Sequence, residues 1–158
     1  MGRRIDYLND PDAPQANSLV PSVNVAVRDD RGYLLLICRT DNGNWALPGG
    51  AMDIGETIAD AGVRETREET GIDCEVTGLV GIYTNPRHVM LYTSNGEVRQ
   101  ECSLVFMARP VAGEPRPSSE SSEVRWVAPS ELETYRMDPT MRQRVEHALA
   151  DRETPFIG

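Results

Sequence analysis

The chain contains no lysine, and all 16 of its basic residues are arginines. A biased source genome is the explanation that we favour, and the alternative is that some arginines bind phosphate bidentately. Against the arginines stand 25 acidic residues, which give a net charge of −9 at pH 7. This excess argues against nucleic acid as a general partner. A polyanionic substrate would need a cation to mask its charge.

Histidine and cysteine are scarce. The two histidines, His88 and His147, are too few and too far apart to indicate a zinc site. The cysteines, Cys38, Cys74 and Cys102, are odd in number, scattered and without a Cys-x-x-Cys pair. Because they stand in apolar or strand-like surroundings, we expect buried thiols rather than a disulfide framework.

Long apolar runs are also missing. Residues 1–20 contain no apolar run of the kind that a signal peptide has, and the longest run, Tyr33–Cys38, is far too short to span a bilayer. We therefore expect a cytoplasmic protein with no membrane partner. A length of 158 residues suits one domain around a single core.

Turn and strand patterns divide the chain into three parts. Residues 1–20 are polar, carry Asp-Pro and Ala-Pro breakers, and are interpreted as an N-terminal arm that is either mobile or packed on the body or on a second subunit. The domain is expected over 21–153, followed by a tail at 154–158. Valines alternate over 23–27, and a turn at 29–32 predicts a hairpin with 33–39. Strands interleaved with two helices predict an α/β sandwich with a mixed sheet.

Three acids dominate the central helix pattern. Glu65, Glu68 and Glu69 stand at positions i, i+3 and i+4, so they share one helix face. At roughly 6 Å and an effective dielectric near 20, each pair of like charges costs about 2 to 3 kcal/mol. A divalent cation would offset this repulsion, and carboxylates suit Mg²⁺ or Mn²⁺. The pattern therefore predicts a metal site.

The surrounding residues resemble the Nudix box, G-x5-E-x7-R-E-u-x-E-E-x-G-u, where u is aliphatic. The matching positions are Gly50, Glu56, Arg64, Glu65, Glu68, Glu69, Gly71 and Ile72. Thr66 departs from the pattern, but its methyl group can still pack against a core. The preceding Trp45-Ala46-Leu47-Pro48-Gly49 resembles the strand and Gly-rich loop that lead into the box. The resemblance implies a Nudix-type α/β/α sandwich that hydrolyses nucleoside diphosphates linked to another moiety.

The resemblance also implies roles for the box residues. Glu65 and Glu69 become the first metal ligands, Glu68 a ligand or bridging carboxylate, and the Gly49 carbonyl a further ligand. Arg64 is expected to pair with a catalytic carboxylate and orient it, with support from Glu56. The alternative is that Glu56 and Arg64 are only a helix-start acid and an exposed base.

Family members differ in the residue that acts as general base. The serine- and proline-rich segment 110–122 is expected to be a loop, and Glu120 in it resembles the extra acid of MutT-like members. Glu97, Glu101 and Glu123 are alternatives, and Glu120 itself could be an ordinary solvated acid.

Substrate contacts are harder to assign from the sequence. Arg39 stands at the end of a strand facing the Gly-rich loop, where it could bind phosphate, and Tyr83 and Arg87 could stack on a base or hold a phosphate. For each, a surface or core-edge position is an equal alternative. Pro86 partly resembles a mark of ADP-ribose pyrophosphatases, Tyr92 one of enzymes acting on dinucleoside polyphosphates, and a MutT-like triphosphate substrate stays open.

Two other classes of protein share this resemblance. A non-catalytic Nudix-like sensor would be joined to a DNA-binding module, which this chain has no room for, and would tend to lose the acids that are intact here. An isopentenyl diphosphate isomerase would need a catalytic cysteine near the pocket, whereas the cysteines stand in strand-like stretches. A nucleotide-derived small molecule is the expected partner, and formation of a homodimer stays open.

Overall fold

The computed structural model describes residues 2–158 and contains two α-helices, a 3-10 helix and twelve strands. The helices are α1 (Ile58–Thr70), the 3-10 helix (Pro129–Thr134) and α2 (Pro139–Leu149). The strands are β1 (Arg4–Leu8), β2 (Ser18–Leu19), β3 (Ser22–Val27), β4 (Leu34–Arg39), β5 (Trp45–Ala46), β6 (Gly49–Ala51), β7 (Ile72–Tyr83), β8 (His88–Tyr92), β9 (Glu97–Gln100), β10 (Ser103–Gly113), β11 (Ser121–Val127) and β12 (Phe156–Ile157). None of the helices in this part of the chain is both long and apolar enough to cross a membrane.

The strands form three sheets. The central sheet has the order β12-β7-β10-β3-β6 and is mixed, because β10 runs parallel to β3 and antiparallel to β7. A second sheet has the order β1-β8-β9-β2, and a third has the order β11-β4-β5. The predicted mixed sheet is confirmed.

The two helices lie on opposite faces of the central sheet. Along β3, Val23, Val25 and Val27 pack in the same cluster as Ala61 of α1. The intervening Ala26 packs in a second cluster with Val145 of α2. Because successive strand residues point to opposite faces, this alternation places one helix on each side. The predicted α/β/α sandwich is therefore confirmed.

Local capping sets the ends of α1. The Thr57 hydroxyl accepts a hydrogen bond from the Asp60 backbone N–H at 3.1 Å, and Gly71 ends the helix with φ of 78°, a conformation that favours glycine. Thr66 is fully buried and donates to the Gly62 carbonyl at 2.8 Å. The departure from the aliphatic pattern is thus accommodated in the core.

The N-terminal arm packs against the body. β1 pairs antiparallel with β8, so that Arg4 lies opposite Tyr92 and Asp6 lies opposite Met90. β2 pairs with β9, and at the other end of the chain β12 pairs with β7. Residues 4–8 and 156–157 are therefore strands of the two larger sheets.

Three local predictions need correction. The turn at 29–32 does not join a regular hairpin, because β3 and β4 enter different sheets and share only an Arg28–Leu34 bridge. The segment 110–122 is shorter as a loop than expected, since β10 extends to Gly113 and β11 begins at Ser121. Of the three cysteines, only Cys74 is fully buried.

Candidate active site

Three carboxylates meet at the edge of the central sheet. Glu65, Glu69 and Glu120 each offer an oxygen, and these atoms lie within 4.8 Å of one another. The first two come from α1, whereas Glu120 directly precedes β11. This set of hard oxygen donors fits Mg²⁺ or Mn²⁺ better than a softer ion.

Glu69 experiences the strongest electrostatic effect of the three. It is 5% exposed, and burial together with the charges of Glu65 and Glu120 raises its pKa to about 8, although a hydrogen bond from the Gly49 N–H opposes this shift. Burial and the nearby carboxylates also raise the pKa of Glu65, against the effect of Arg64. A cation bound here would oppose both shifts, because its charge favours the ionised form of each carboxyl group.

The Gly-rich segment approaches these acids closely. The Gly49 N–H donates to Oε1 of Glu69 at 3.0 Å. A Cβ on Gly50 would lie 2.6 Å from the Glu65 carboxyl group. The absence of a side chain at Gly50 therefore leaves room for the Glu65 carboxyl group where β6 passes α1.

Arg64 contacts several acidic groups and a backbone carbonyl around the site. Its Nε and Nη2 donate to the two carboxylate oxygens of Glu56 at 3.0 and 2.7 Å. Its Nη1 donates to Glu65 at 3.0 Å and to Glu68 at 3.3 Å, and its Nη2 also reaches the Ala51 carbonyl. Hydrogen bonds from Arg64 lower the pKa of Glu56 to about 2. The arginine thus has the geometry to orient Glu65, while Glu56 holds the guanidinium in place.

The structure does not bring Glu68 into the close group. Its side chain is 58% exposed and its carboxylate contacts Arg64. Glu68 can approach a cation only from the solvent side, and its expected role as a ligand stays a prediction.

Glu120 is positioned by its neighbours. The Ser121 hydroxyl donates to the backbone carbonyl of Glu69, and the Thr40 N–H donates to the carbonyl of Glu120 at 3.2 Å. The first bond attaches the start of β11 to the end of α1, and the second attaches Glu120 to the residue that follows β4. The alternative acids have other partners: Glu97 binds Arg99, Glu101 binds Arg144, and Glu123 binds Arg125.

A cleft of about 450 Å³ extends from the acids. Glu69, Glu120 and the segment Gly49–Ala51 line one part of it, and residues 39–41 and the start of α2 line others. A further part is formed by one face of the second sheet, which we call the sheet wall: Arg4, Asp6, His88, Met90, Tyr92 and Arg99.

The three expected substrate-binding residues occupy different places. Arg39 lines the cleft, where its guanidinium pairs with Asp41. Tyr83 lies in the core, 3% exposed, with its hydroxyl 2.8 Å from His147 Nδ1, so its expected contact with substrate is wrong for this structure. Arg87 is exposed at a separate depression beside residues 9–16, away from the cleft.

Of the residues in the sheet wall, sequence reasoning connected only Tyr92 with the substrate, and it missed the role of β1. The inner part of the sheet wall is a chain of ionic contacts in which His88 lies 3.3 Å from both Asp6 and Glu101, and Arg144 donates to Glu101 at 2.6 Å. The sequence pattern that could have indicated β1 is the alternation of polar and apolar residues over Arg4–Leu8, which is typical of a half-buried strand.

An acidic cluster beside a cleft in an α/β/α sandwich is the arrangement that metal-assisted hydrolysis of a phosphate-containing substrate would use. The profile of the NUDIX domain family matches residues 18–148, and the chain belongs to that family. The enzyme class predicted above, a hydrolase acting on phosphoanhydride bonds, is confirmed.

Individual relatives agree with this assignment. The chain is 41% identical over 128 residues to a MutT-like protein of Streptomyces ambofaciens, covering 80% of this chain and 75% of the relative. It is 35% identical over 112 residues to an ADP-ribose pyrophosphatase of Methanocaldococcus jannaschii, covering 68% and 62%. A NUDIX hydrolase structure from Nitrosomonas europaea superposes with a TM-score of 0.71 at 22% identity, covering 90% of this chain and 80% of that one.

Proposed function

We propose that the chain uses Mg²⁺ or Mn²⁺ to hydrolyse the pyrophosphate linkage of a nucleoside diphosphate joined to another moiety. The observation that carries this proposal is the meeting of Glu65, Glu69 and Glu120 within 4.8 Å beside the cleft. The identity to an ADP-ribose pyrophosphatase supports an ADP-ribose-like substrate. The identity to a MutT-like protein supports a nucleoside triphosphate as the second candidate.

The residues have distinct proposed roles in this reaction. Glu65 and Glu69 hold the cation, with Glu68 and the Gly49 carbonyl as further candidates, and Arg64 keeps Glu65 in position through its contact with Glu56. When bound, the cation neutralises the pyrophosphate and lowers the pKa of a coordinated water. Glu120 accepts the proton of the attacking water, or serves as an additional ligand. The water oxygen forms a bond to phosphorus, and the bridging P–O bond breaks.

Substrate binding in the cleft is expected to involve Arg39. Its guanidinium already pairs with Asp41, so a phosphate would have to share this arginine or displace the aspartate. A non-catalytic sensor is the alternative function, but the grouping of Glu65, Glu69 and Glu120 beside the cleft favours catalysis.

One experiment tests these assignments together. Purified protein is incubated with Mg²⁺ and ADP-ribose, diadenosine polyphosphates, nucleotide sugars, and oxidised and normal dNTPs, and the products are identified in ¹⁸O-labelled water. Label in a phosphate product establishes attack at phosphorus, and the preferred substrate gives the class. Binding of these nucleotides without any turnover in Mg²⁺ or Mn²⁺ would instead support the sensor.

A further inference from the structure

We propose that the sheet wall binds the nucleobase of the substrate, and that Arg4 and Arg99 recognise a base presenting two neighbouring acceptor atoms, as guanine does with O6 and N7. Because the base belongs to the substrate assigned above, this inference rests on the proposed function. Between its two candidate substrates, the inference favours a guanine nucleoside triphosphate over ADP-ribose, whose adenine presents the N7 acceptor beside an amino donor. It assigns a specificity role to β1, which lies outside the range 18–148 that matches the family.

The register of the sheet places these side chains on one face. Arg4 lies directly opposite Tyr92, and Met90 lies directly opposite Arg99. Residues directly opposite each other in adjacent strands point to the same side. The guanidinium of Arg99 lies 4.5 Å from the centre of the Tyr92 ring, so the three polar side chains form one patch within the cleft.

Both arginines keep donors for a ligand. Arg4 uses Nε and Nη2 to bind Asp6, at 2.6 and 2.9 Å. Arg99 uses Nε to bind Glu97 and Nη1 to approach the Tyr92 hydroxyl, at 2.8 and 3.4 Å. Within residues 2–158, Nη1 of Arg4 and Nη2 of Arg99 make no hydrogen bond, and the two side chains are 28% and 26% exposed.

The charges of the sheet wall favour an uncharged acceptor over a second phosphate. An arginine without a carboxylate partner would attract a phosphate strongly at short range in a partly buried cleft. Here Arg4 and Arg99 each carry a carboxylate partner at hydrogen-bonding distance, which cancels most of that attraction. The negative charge of Asp138, which also lines the cleft, acts on Arg4 as well. A carboxylate there can accept from the N–H groups of guanine, but it would repel a phosphate.

A chain of ionic contacts holds Arg4 in position. Asp6, its partner, contacts His88, which contacts the buried Glu101, and Glu101 binds Arg144 on α2. This chain of contacts runs from β1 to the opposite side of the cleft. A guanidinium held in this way loses little conformational freedom when it binds a base.

The test measures binding of GMP, AMP and CMP by calorimetry, without metal, to the wild type and to Arg4→Gln, Arg99→Gln and Arg3→Gln. GMP should bind most tightly to the wild type. Arg4→Gln and Arg99→Gln should each raise the Kd for GMP by about 5-fold to 100-fold, the range for one bidentate base contact, and change the other two by much less. Arg3 is the matched control, because it is exposed just before β1 and does not line the cleft.

Three outcomes would overturn the inference: no preference for GMP, equal losses for all three nucleotides, or unchanged GMP binding in both variants. Equal losses would identify a phosphate contact instead. Since Arg99 lies on β9, its variant gives an answer even if Arg4→Gln detaches β1, which amide exchange over residues 4–8 would reveal. Absence of hydrolysis by the wild type would contradict the proposed function while leaving the GMP comparison readable.

Discussion

The two parts of the cleft, the acidic part and the sheet wall, differ in whether their charges are balanced by neighbouring side chains. At the acidic part, Glu65, Glu69 and Glu120 crowd together beside Arg64, and burial raises the pKa of Glu69 to about 8. At the sheet wall, Arg4 and Arg99 each have a carboxylate partner. The crowded carboxylates favour binding of a cation. The arginines already have their charge balanced by carboxylates, so their free N–H groups can donate hydrogen bonds to a neutral ligand. The first part is therefore suited to a metal and pyrophosphate, and the second to a neutral base.

The largest expected effect comes from changing the acidic part. Glu69→Gln should lower kcat with Mg²⁺ by on the order of 10²- to 10⁴-fold, the range for a positioned catalytic group. The free energy of unfolding without metal should hold or rise, because glutamine lacks the cost of burying an ionisable carboxyl group whose pKa is raised to about 8. The amide carbonyl oxygen of glutamine can still accept from the Gly49 N–H. Steady-state kinetics and thermal unfolding without metal measure the two effects.

Glu68→Gln is the matched control for that substitution. Glu68 lies on the same helix face but is 58% exposed and outside the close group, so its loss should be smaller. Near-normal activity of Glu69→Gln with Mg²⁺ would contradict the metal assignment.

The next effect concerns Glu120. Glu120→Gln should lower kcat by at least about 10-fold at pH 7 with little change in KM, since proton removal matters more in the transition state than in binding. The loss should shrink at higher pH as hydroxide supply grows. The control is Glu123→Gln, whose exposed carboxylate pairs with Arg125 instead. If the two variants behave alike, the general base must instead be Glu65, Glu68 or Glu69.

Gly50→Ala should impair the metal site without destabilising the fold. The added Cβ would lie 2.6 Å from the end of the flexible Glu65 side chain, which can move away without disturbing the backbone. We expect metal affinity and kcat to fall by about 10-fold, the lower end of the cost of disturbing a metal ligand's support, with a nearly unchanged thermal midpoint.

Gly78→Ala is the control for Gly50→Ala, because its Cβ would meet nothing within 4 Å. Gly49→Ala offers a contrast, since its Cβ would lie 2.0 Å from the backbone oxygen of Val23 and should destabilise the fold. A Gly50→Ala variant that unfolds like Gly49→Ala would show that the glycine serves packing rather than the carboxylate.

The two parts of the cleft also differed in how far the sequence could predict them. Glu65 and Glu69 lie within one helix, so their spacing alone placed them together, and the caps at Thr57 and Gly71 fixed that helix. Glu120 could be assigned only through the family resemblance, because it is far from α1 in the sequence and is held there by tertiary contacts of Ser121 and Thr40. The sheet wall joins residues 4–6 to residues 88–99, and no local pattern states which strand β1 pairs with. Tyr83 was misplaced because an aromatic residue at a strand end suits a core as well as a cleft.

The smallest effect concerns the contacts beneath the sheet wall. Burial tends to lower the pKa of His88, but hydrogen bonds to Asp6 and Glu101 outweigh it and leave the pKa raised above its ordinary 6.5. The same contacts, with Arg4 and Arg144, overcome burial and lower the pKa of Asp6 and of Glu101. The raised histidine contributes stability below pH 6.5 and loses it as pH rises through its folded pKa. The lowered carboxylates contribute stability above their ordinary values of 3.8 and 4.5 and lose it as pH falls through their folded values.

These contacts should therefore stabilise β1 most between pH 4.5 and 6.5. Raising the pH above 6.5 should lower the thermal midpoint by a few degrees and speed amide exchange in residues 4–8, whereas His88→Gln should flatten both responses. Glu101 and Arg144 stay paired both below and above pH 6.5, so amide exchange within α2 serves as the internal reference. Exchange in β1 that follows α2 at every pH would show that His88 does not hold this strand, and the sheet wall would then depend on backbone pairing with β8 alone.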